Sequence, residues 1–512
     1  MTEDAKVDAP MAAREVRRRF LLFFFPGALQ LVLVFVTLPI TTLVLGPADF
    51  AAFSLVISFS ALAMSLSQMG SVFLLSQRLR GASEQERCSL VSTMTALVLT
   101  SSLVMAAVFV TAFIFLHDSW SITAGITLIM VLLAAVESIG SSLYTLALGI
   151  SKLGIAPGHY SLIAVLKNLT AVGATLASLF FFELKGVSLF IGHAAGGVVA
   201  LIGSLAMLSR FLRPRIDWDM LRHALYLGGW NTVSFLALQA RQTIERALLS
   251  RYLGLHDLGL FVHAQQYQAI ATLGAQPIQS AVTPVLLDEA KEKNSKFTRT
   301  ARTSNVLFVG VTVFGVAAAL FARSVMGVLT HDKFNAAGPY VALLVGAVLV
   351  QLSGRPQLAH LLSNGRGRYI SLCNVSAAVG AVVVLFALVG RIGLLAAVSA
   401  SYAQFLLFRL ATGLDPFSPA RLPFQDQWVV FGLTVIAGTV GGVEYFEPDL
   451  PTRAVLFAAF LAVVAIFARS TIRDVMLQIR EHLGYRGHVA NSQPLDSRLR
   501  PRNPLDITGA RP

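Results

Sequence analysis

Charged residues and cysteines are both scarce in this sequence. Only 13% of its 512 residues are Asp, Glu, Lys or Arg, whereas 55% are hydrophobic. A soluble domain carries roughly 25% charged residues, so this composition excludes an ordinary soluble protein and indicates a chain that folds in the lipid bilayer. The two cysteines, Cys88 and Cys373, imply neither a disulfide framework nor a metal site.

Long apolar segments make up most of the chain. Fourteen are long enough to cross a bilayer, at about 20 residues per crossing. We therefore predict an all-α polytopic membrane protein with 14 transmembrane helices. The predicted spans are 20–45, 50–76, 89–116, 121–150, 160–182, 187–209, 223–251, 258–287, 304–329, 339–363, 369–389, 392–412, 428–445 and 453–469.

The positive charges indicate the orientation of these spans. The net charge is +13, a value also found in nucleic-acid-binding proteins, but its placement argues against a nucleic-acid partner. Most Lys and Arg residues fall on one side, so the positive-inside rule predicts a cytoplasmic (inner) membrane protein with both termini in the cytoplasm. The apolar run after Arg14 and Arg17–Arg19 is too long for a signal peptide and lacks a cleavage site, so we interpret it as an uncleaved first span. The basic residues in predicted outer loops are Lys185, Arg251, Lys333, Arg391 and Arg453.

A short internal repeat indicates two related halves. Leu45-Gly46-x-x-Asp49-x-x-x-Phe53 recurs as Leu253-Gly254-x-x-Asp257-x-x-x-Phe261, 208 residues later. An even number of spans separates the copies, so we predict two parallel, pseudo-symmetric six-helix bundles (spans 1–6 and 7–12) around a central cavity, an architecture found in transporters. The predicted units are an N-terminal tail (1–19), a first bundle (20–210), a connector (211–222), a second bundle (223–412), a linker (413–427), two extra helices (428–470) and a C-terminal tail (471–512).

The seventh and eighth predicted spans carry an unusual number of polar side chains. Unpaired amides are costly in hydrocarbon, so the polar face of the eighth span must contact other helices or water. We interpret it as the lining of a water-filled substrate cavity; hydrogen bonds that hold helices together are the alternative. Arg241 lies near the midplane, where it could bind phosphate or form a structural salt bridge with Glu245. The candidate substrate-binding residues in these spans are Arg241, Gln242, Glu245, Gln265, Gln268, Gln276 and Gln279.

Three further polar residues in the first half are also candidates. Gln68 corresponds to Gln276 at the repeat offset, although serine-rich faces such as that of the second span more often serve close helix packing. Glu137 lies in the middle of the fourth span and Lys167 about a third of the way along the fifth. These two could pair with one another or line the cavity of the first bundle.

The polar segment at the seventh and eighth spans contains Glu245-Arg246, Leu253-Gly254 and Gly259-x-Phe261-x-x-Ala264. These motifs resemble a stretch of polysaccharide flippases, in which Asp is usual for Glu245 and Tyr for Phe261. These flippases belong to the multidrug, oligosaccharidyl-lipid and polysaccharide exporter superfamily. The resemblance implies a transporter that moves an oligosaccharide linked to undecaprenyl pyrophosphate from the inner to the outer leaflet by alternating access.

Two other functions remain open from the sequence. A multidrug exporter of the same superfamily would favour carboxylates and aromatic residues over an arginine beside glutamines. A membrane-embedded glycan polymerase or ligase would need catalytic groups on a substantial outer loop, and the predicted outer loops are short, with no nucleotide motif or metal cluster. We predict no enzymatic activity, no cofactor and no metal. The expected partners are the lipid-linked oligosaccharide and membrane lipids, with a glycan polymerase and glycosyltransferases as candidate protein partners.

Overall fold

The computed structural model describes residues 8–79, 82–116, 126–152, 157–213, 217–291, 298–355, 357–358, 361, 366–414, 426–467 and 469. The regular structure of these residues is helical and contains no strand. The helices are α1 (Asp8–Val44), α2 (Pro47–Gln68), α3 (Ser71–Arg78), α4 (Glu84–Leu116), α5 (Leu128–Lys152), α6 (Pro157–Phe180), α7 (Val187–Leu208), α8 (Trp218–Lys291), α9 (Thr298–Thr330), α10 (Gly338–Ser353), α11 (Gly367–Ile392), α12 (Leu395–Gly413), α13 (Asp426–Phe446) and α14 (Leu450–Phe467). Single 3-10 turns occur at Ser209–Phe211 and Asn335–Ala337.

Eleven of the described helices are long and apolar enough to cross a membrane, by length and composition. This finding confirms the all-α polytopic class. The predicted number of fourteen spans is not established by it. Helix α8 is not among the eleven, although it is 74 residues long, because polar side chains such as Arg241 and Gln265 lower its hydropathy. The apolar part of α14, Leu450–Ile466, is shorter than the others.

One glycine divides α8 into two arms. Gly254 has φ 87° and ψ 173°, a backbone conformation that is open almost only to glycine. The first arm comprises residues 218–253 and the second arm residues 255–291. The turn predicted over Gly254–Gly259 is therefore confined to one residue, and the helix resumes at once.

Helices α1 to α7 pack together through small residues. α7 lies against both α5 and α6, α2 packs on α4 and α5, and α1 packs along α6. A Cβ atom added at Gly197 of α7 would lie 2.7 Å from Glu137 Cα, and one at Gly192 would lie 1.8 Å from Thr175 Oγ1. Glycine at these positions allows the close approach of helices that is common in membrane bundles.

The second half is arranged around α8. This helix packs against α11, α10 and α9, while α12 packs on α11 and α10. Helices α13 and α14 pack on the outside of this group, α13 against α9 and α10 and α14 against α9. The domain limits 20–210 and 223–412 stay a proposal, with which this grouping is consistent.

Helix α2 forms the seam between the two halves by packing antiparallel to α8. Near one end, a Cβ atom at Gly259 would lie 1.9 Å from the carbonyl oxygen of Pro47. Near the other end, a Cβ atom at Gly70 would lie 2.1 Å from Gly228 Cα. Between these points, Arg246 Nη1 donates to the Ser54 carbonyl at 2.9 Å and Thr243 Oγ1 donates to the Ser58 carbonyl at 3.0 Å. The seam is closed along the whole of α2.

Some predicted boundaries differ from the structure. The second predicted span, 50–76, is interrupted at Met69 (φ 38°) and Gly70 (φ 75°), where the chain turns close to Gly228, and α3 follows as a separate short helix. Helix α1 begins at Asp8, inside the predicted N-terminal tail. The predicted C-terminal tail and most of the linker at 413–427 (residues 415–425) lie outside the described residues.

Candidate functional site

A cavity of about 290 Å³ lies among the helices of the first half, at its border with the second half. Its walls come mainly from α1, α2, α5, α6 and α7, and the second arm of α8 contributes one residue, Gln266. Phe50 and Phe53 supply aromatic surface. The cavity therefore combines charged, amide and aromatic groups inside an otherwise apolar set of helices. Its polar lining includes Gln30, Glu137, Lys167, Asn168, His193 and Gln266.

Glu137 and Lys167 are connected through a serine. Ser141 Oγ lies 2.6 Å from Glu137 Oε1, to which it donates, and Lys167 Nζ donates to Ser141 Oγ at 3.1 Å. Ser60 Oγ of α2 lies 3.5 Å from Glu137 Oε2. The carboxylate and the ammonium group thus offset each other at short range without direct contact, and both face the cavity.

Two stacked tyrosines lie beside the ammonium group of Lys167. The Lys167 ammonium lies 4.7 Å from the centre of the Tyr144 ring, a cation–π distance. The Tyr144 and Tyr160 rings are stacked with centroids 5.3 Å apart, and their hydroxyl oxygens are 2.8 Å apart. This platform fixes the end of the lysine side chain on α6 relative to α5.

The remaining polar residues come from separate helices. The His193 ring on α7 is exposed and meets Phe53 edge-on, with centroids 4.9 Å apart. Gln30 enters from α1, and Asn168 adjoins Lys167 on α6. Because Gln266 comes from the second half, the cavity contacts both halves and could change shape if they moved relative to each other.

Neither of the two predicted glutamines on the second arm of α8 whose side chains the structure describes lines this cavity. Gln265 and Gln268 are half-buried and do not line this cavity, whereas the neighbouring Gln266 does. The side chains of Gln276 and Gln279 lie outside the described part of the structure. The prediction that these four bind substrate stays untested.

Gln68 connects two helices. Its Nε2 donates to the Ser142 carbonyl on α5 at 2.8 Å, and its Oε1 accepts from Ser71 Oγ at 3.3 Å. Both ends of the amide are therefore hydrogen-bonded to protein, which is the arrangement of a residue that holds helices together.

Arg241 and Glu245 form a buried pair away from this cavity. Arg241 Nη2 lies 2.6 Å from Glu245 Oε2, and the two residues are 6% and 1% exposed. Arg241 Nη1 also donates to Gln404 Oε1 on α12. In this conformation the guanidinium is bound by protein groups on two sides. Gln242, the remaining candidate, is exposed on the surface of α8.

Sequence reasoning missed several residues of the cavity. Gln30, Asn168 and His193 are each a polar side chain in an apolar helix, the same signal that pointed to Glu137 and Lys167. Gln266 follows Gln265 directly in the sequence, so its side chain lies about 100° around the helix from the predicted polar face. The sequence shows these polar residues, but it does not show how each helix is rotated about its axis. That rotation decides which side chains line the same cavity.

On the side predicted to be outer, Lys333 and Phe334 of the second half contact the first half. Lys333 Nζ donates to the Leu43 carbonyl at 2.6 Å and lies 3.4 Å from the Thr42 carbonyl, in the last turn of α1. Phe50 of α2 meets Phe334 edge-on, with centroids 5.6 Å apart. The fully buried ring of His263 lies 4.3 Å from the Phe334 ring.

The described residues include no group of three or more His, Cys, Asp or Glu side chains that could hold a metal ion. The cavity offers charged and amide groups for binding a ligand. An ammonium can donate to phosphate or carboxylate, and the amides can donate to and accept from hydroxyls.

Comparison with known proteins gives one family match and several similar folds. The sequence profile of the family described as polysaccharide biosynthesis protein matches residues 24–289. Among solved structures, a lipid II flippase MurJ in an inward closed conformation superposes with a TM-score of 0.63 at 10% identity, over 89% of this chain and 99% of that one. An inward-facing multidrug resistance MATE family transporter of the MOP superfamily superposes with a TM-score of 0.55 at 15% identity, over 80% of this chain and 95% of that one. No curated protein matches the sequence.

Proposed function

The chain belongs to the polysaccharide biosynthesis protein family, and we propose that it is a transporter that moves a lipid-linked oligosaccharide across the membrane. The observation that carries the proposal is a cavity in an apolar helix bundle, lined by charged and amide groups of the first half and by Gln266 of the second half. The family match and the fold seen in a lipid II flippase support the same substrate class. The proposed cargo is an oligosaccharide on an undecaprenyl pyrophosphate carrier.

The cavity supplies groups suited to the headgroup of such a lipid. Lys167 carries a positive charge that is held in place but not directly paired, so it can donate to a phosphate or to an acidic sugar. The amides of Gln30, Asn168 and Gln266 can donate to and accept from sugar hydroxyls at the same time. In this proposal the headgroup binds in the cavity, so Lys167 rather than Arg241 contacts the phosphate.

Transport would proceed by alternating access. The contacts of Lys333, Phe50 and Phe334 close the side predicted to be outer, so the cavity in this conformation would load from the cytoplasmic side. Breaking these contacts while closing the opposite side would present the headgroup to the outer leaflet. This step needs no catalytic residue, and the protein is proposed to act in the cytoplasmic membrane without enzymatic activity.

A multidrug exporter is the second candidate, and one feature of the cavity favours it. Glu137, Phe50 and Phe53 are the residue types that bind cationic, aromatic drugs. Lys167 opposes this function, because its ammonium group is joined to Glu137 through Ser141 and would repel a second cation.

A reconstituted transport assay can separate the two. Purified protein in liposomes is supplied with a fluorescent lipid-linked oligosaccharide, and in parallel with ethidium as a cationic drug. We expect movement of the lipid-linked sugar, reduced about 10- to 100-fold by Lys167→Gln, since a hydrogen bond from a charged group contributes about 1.5–3 kcal/mol. Lys185→Gln removes an exposed lysine outside the cavity and should transport normally. Ethidium transport without sugar-lipid movement would contradict the proposal.

A further inference from the structure

A second cavity, shallow and widely open to the surface, with a volume of about 420 Å³, lies on the predicted outer side of the second half. It is formed by the end of α9, the turn at 331–337 and the beginning of α14. The cavity of the transport proposal does not share a residue with it. Its polar lining is Arg323, Ser324, Asp332, Asn335 and Arg453.

Arg453 fixes α14 to α9 and presents part of its guanidinium to this cavity. Its Nε donates to the Pro448 carbonyl at 2.7 Å, and its Nη1 lies 3.2 Å from the Leu320 carbonyl and 3.3 Å from Ser324 Oγ. No hydrogen bond from Nη2 is found within the described residues. Nη2 therefore keeps its donors for a ligand.

Arg323 is a second guanidinium at the same cavity. It lies seven residues before the end of α9 at Thr330, about 10 Å below that end along the helix. Its side chain is exposed, and it forms no hydrogen bond or ion pair with the described residues. An unpaired arginine at this depth extends towards the membrane surface or takes an anionic partner. Two arginines at one cavity favour a phosphate, which guanidinium groups bind in a bidentate manner.

The lining of this cavity also carries a negative charge. Asp332 is exposed, and Asn335 Nδ2 donates to its Oδ1, which orients the carboxylate. The Asp332 backbone N–H donates to the Gly327 carbonyl at 3.3 Å and fixes the turn. A simple anion would be repelled by this carboxylate. A ligand with both a phosphate and an ammonium group could bind the two arginines and the Asp332 carboxylate at the same time.

We propose that this cavity binds the headgroup of a zwitterionic aminophospholipid, phosphatidylethanolamine. Its phosphate would contact Arg323 and Arg453, and its primary ammonium group would donate to Asp332. The position at the end of membrane helix α9 fits the headgroup layer, where basic pockets between helices recognise lipids. The bound lipid would add to the contact between α14 and α9. Choline cannot donate a hydrogen bond to Asp332, and glycerol lacks the positive charge, so the site should discriminate among headgroups.

Native mass spectrometry of the full chain can test this. Protein is reconstituted with phosphatidylethanolamine, phosphatidylcholine or phosphatidylglycerol, and the lipids retained on stepwise activation are counted. We expect one phosphatidylethanolamine to be retained in preference to the other two. Arg323→Gln should weaken its retention about tenfold. Arg391→Gln, which removes an exposed arginine at another predicted outer turn, should leave it unchanged.

Asp332→Asn is a second test variant, and a misfolded protein would not give the result that we expect from it. Removing the carboxylate should let phosphatidylglycerol bind as well as phosphatidylethanolamine, which is a gain of binding. Equal retention of the three lipids by the unaltered protein would overturn the proposal. So would displacement of phosphatidylethanolamine by inorganic phosphate alone, because the cavity would then be a simple anion site.

Discussion

Arg241 is held between Glu245 on its own helix and Gln404 on α12, with its guanidinium almost wholly removed from solvent. The sequence placed a charge near the membrane midplane and left two roles open for it, phosphate binding and a salt bridge. The observed contacts are those of the second role. Burying one charge beside its partner is tolerable, whereas leaving it alone is costly.

This pair predicts a large effect of removing one partner. Glu245→Gln should destabilise the folded protein by about 3–5 kcal/mol, because the Arg241 charge would stay buried without its counter-charge. Thermal unfolding of the purified protein in detergent measures the change. The double variant Arg241→Met/Glu245→Leu should recover much of the loss, since it removes both charges together.

Gln242 offers the matched control on the same helix. Its side chain is exposed, so Gln242→Ala should change the unfolding temperature little. If Glu245→Gln unfolds at the temperature of the unaltered protein but loses transport, the pair serves the cargo and the structural interpretation is wrong.

At the scale of single residues, the sequence showed which polar side chains lie in apolar helices but not which of them face the cavity. A charge or amide inside an apolar helix is visible in the sequence, and Glu137 and Lys167 were found in that way. Gln266 was passed over for Gln265, although the two are one residue apart. A helical wheel gives the angle between side chains on one helix, but only packing against neighbouring helices fixes which face meets the cavity.

At the scale of helices, α7 is positioned by its glycines. Gly197 lets α7 lie against the backbone of Glu137 on α5, and Gly192 does the same towards Thr175 on α6. The distance between Glu137 and Lys167, which lie on those two helices, depends on this packing. The glycines therefore act on the cavity without lining it.

We expect Gly197→Ala to disturb this arrangement. The added Cβ atom would lie 2.7 Å from Glu137 Cα, so α5 and α7 must separate, at a cost of about 1–3 kcal/mol. Unfolding temperature and sugar-lipid transport would both fall. Gly173→Ala is the control, because nothing lies within 4 Å of a Cβ atom there. Equal behaviour of the two variants would contradict the packing role of Gly197.

Helix boundaries were predictable where the local sequence marks them. They were not predictable where a contact with a distant part of the chain sets them. The turn after Leu253 was expected from its glycine, and Gly254 is the point where α8 breaks. The break at Met69 and Gly70 was not expected, because the apolar pattern continues across it. Its cause is the approach of Gly228 from the other half, which no local pattern records.

For the whole molecule, closure of the predicted outer side rests on a few contacts. Lys333 donates to carbonyls in the last turn of α1, where a positive charge is also favoured by the helix dipole. His263 lies behind this contact and is fully buried. Accessibility at position 263 can therefore report on opening.

Lys333→Ala should make the closed form less favourable. Cysteine labelling by a membrane-impermeant maleimide would be followed in His263→Cys, with Cys88 and Cys373, both buried, replaced by serine. Loss of a helix-end interaction of up to about 1 kcal/mol would raise the labelling rate up to about fivefold. Lys185→Ala, at a different predicted outer turn, should leave the rate unchanged. Unaltered labelling in Lys333→Ala would show that this lysine does not hold the structure closed.

The overall class was the most predictable level. Apolar segments of membrane-spanning length require helices, because backbone groups must be hydrogen-bonded within the lipid. The repeat at Leu45 and Leu253 indicated two related halves in the same orientation. The cavity itself was not predictable in detail, since its lining combines residues from six different helices.

Gly228 and Gly259 bring the backbone of α8 against α2 near both ends of that helix, so this flank is shut from one leaflet to the other. A molecule anchored by a hydrocarbon tail cannot pass through it in this conformation. Its tail would have to stay in the bilayer beside the opposite flank, next to α1, while the headgroup turned over inside. The proposed loading and release would then both take place along the flank next to α1.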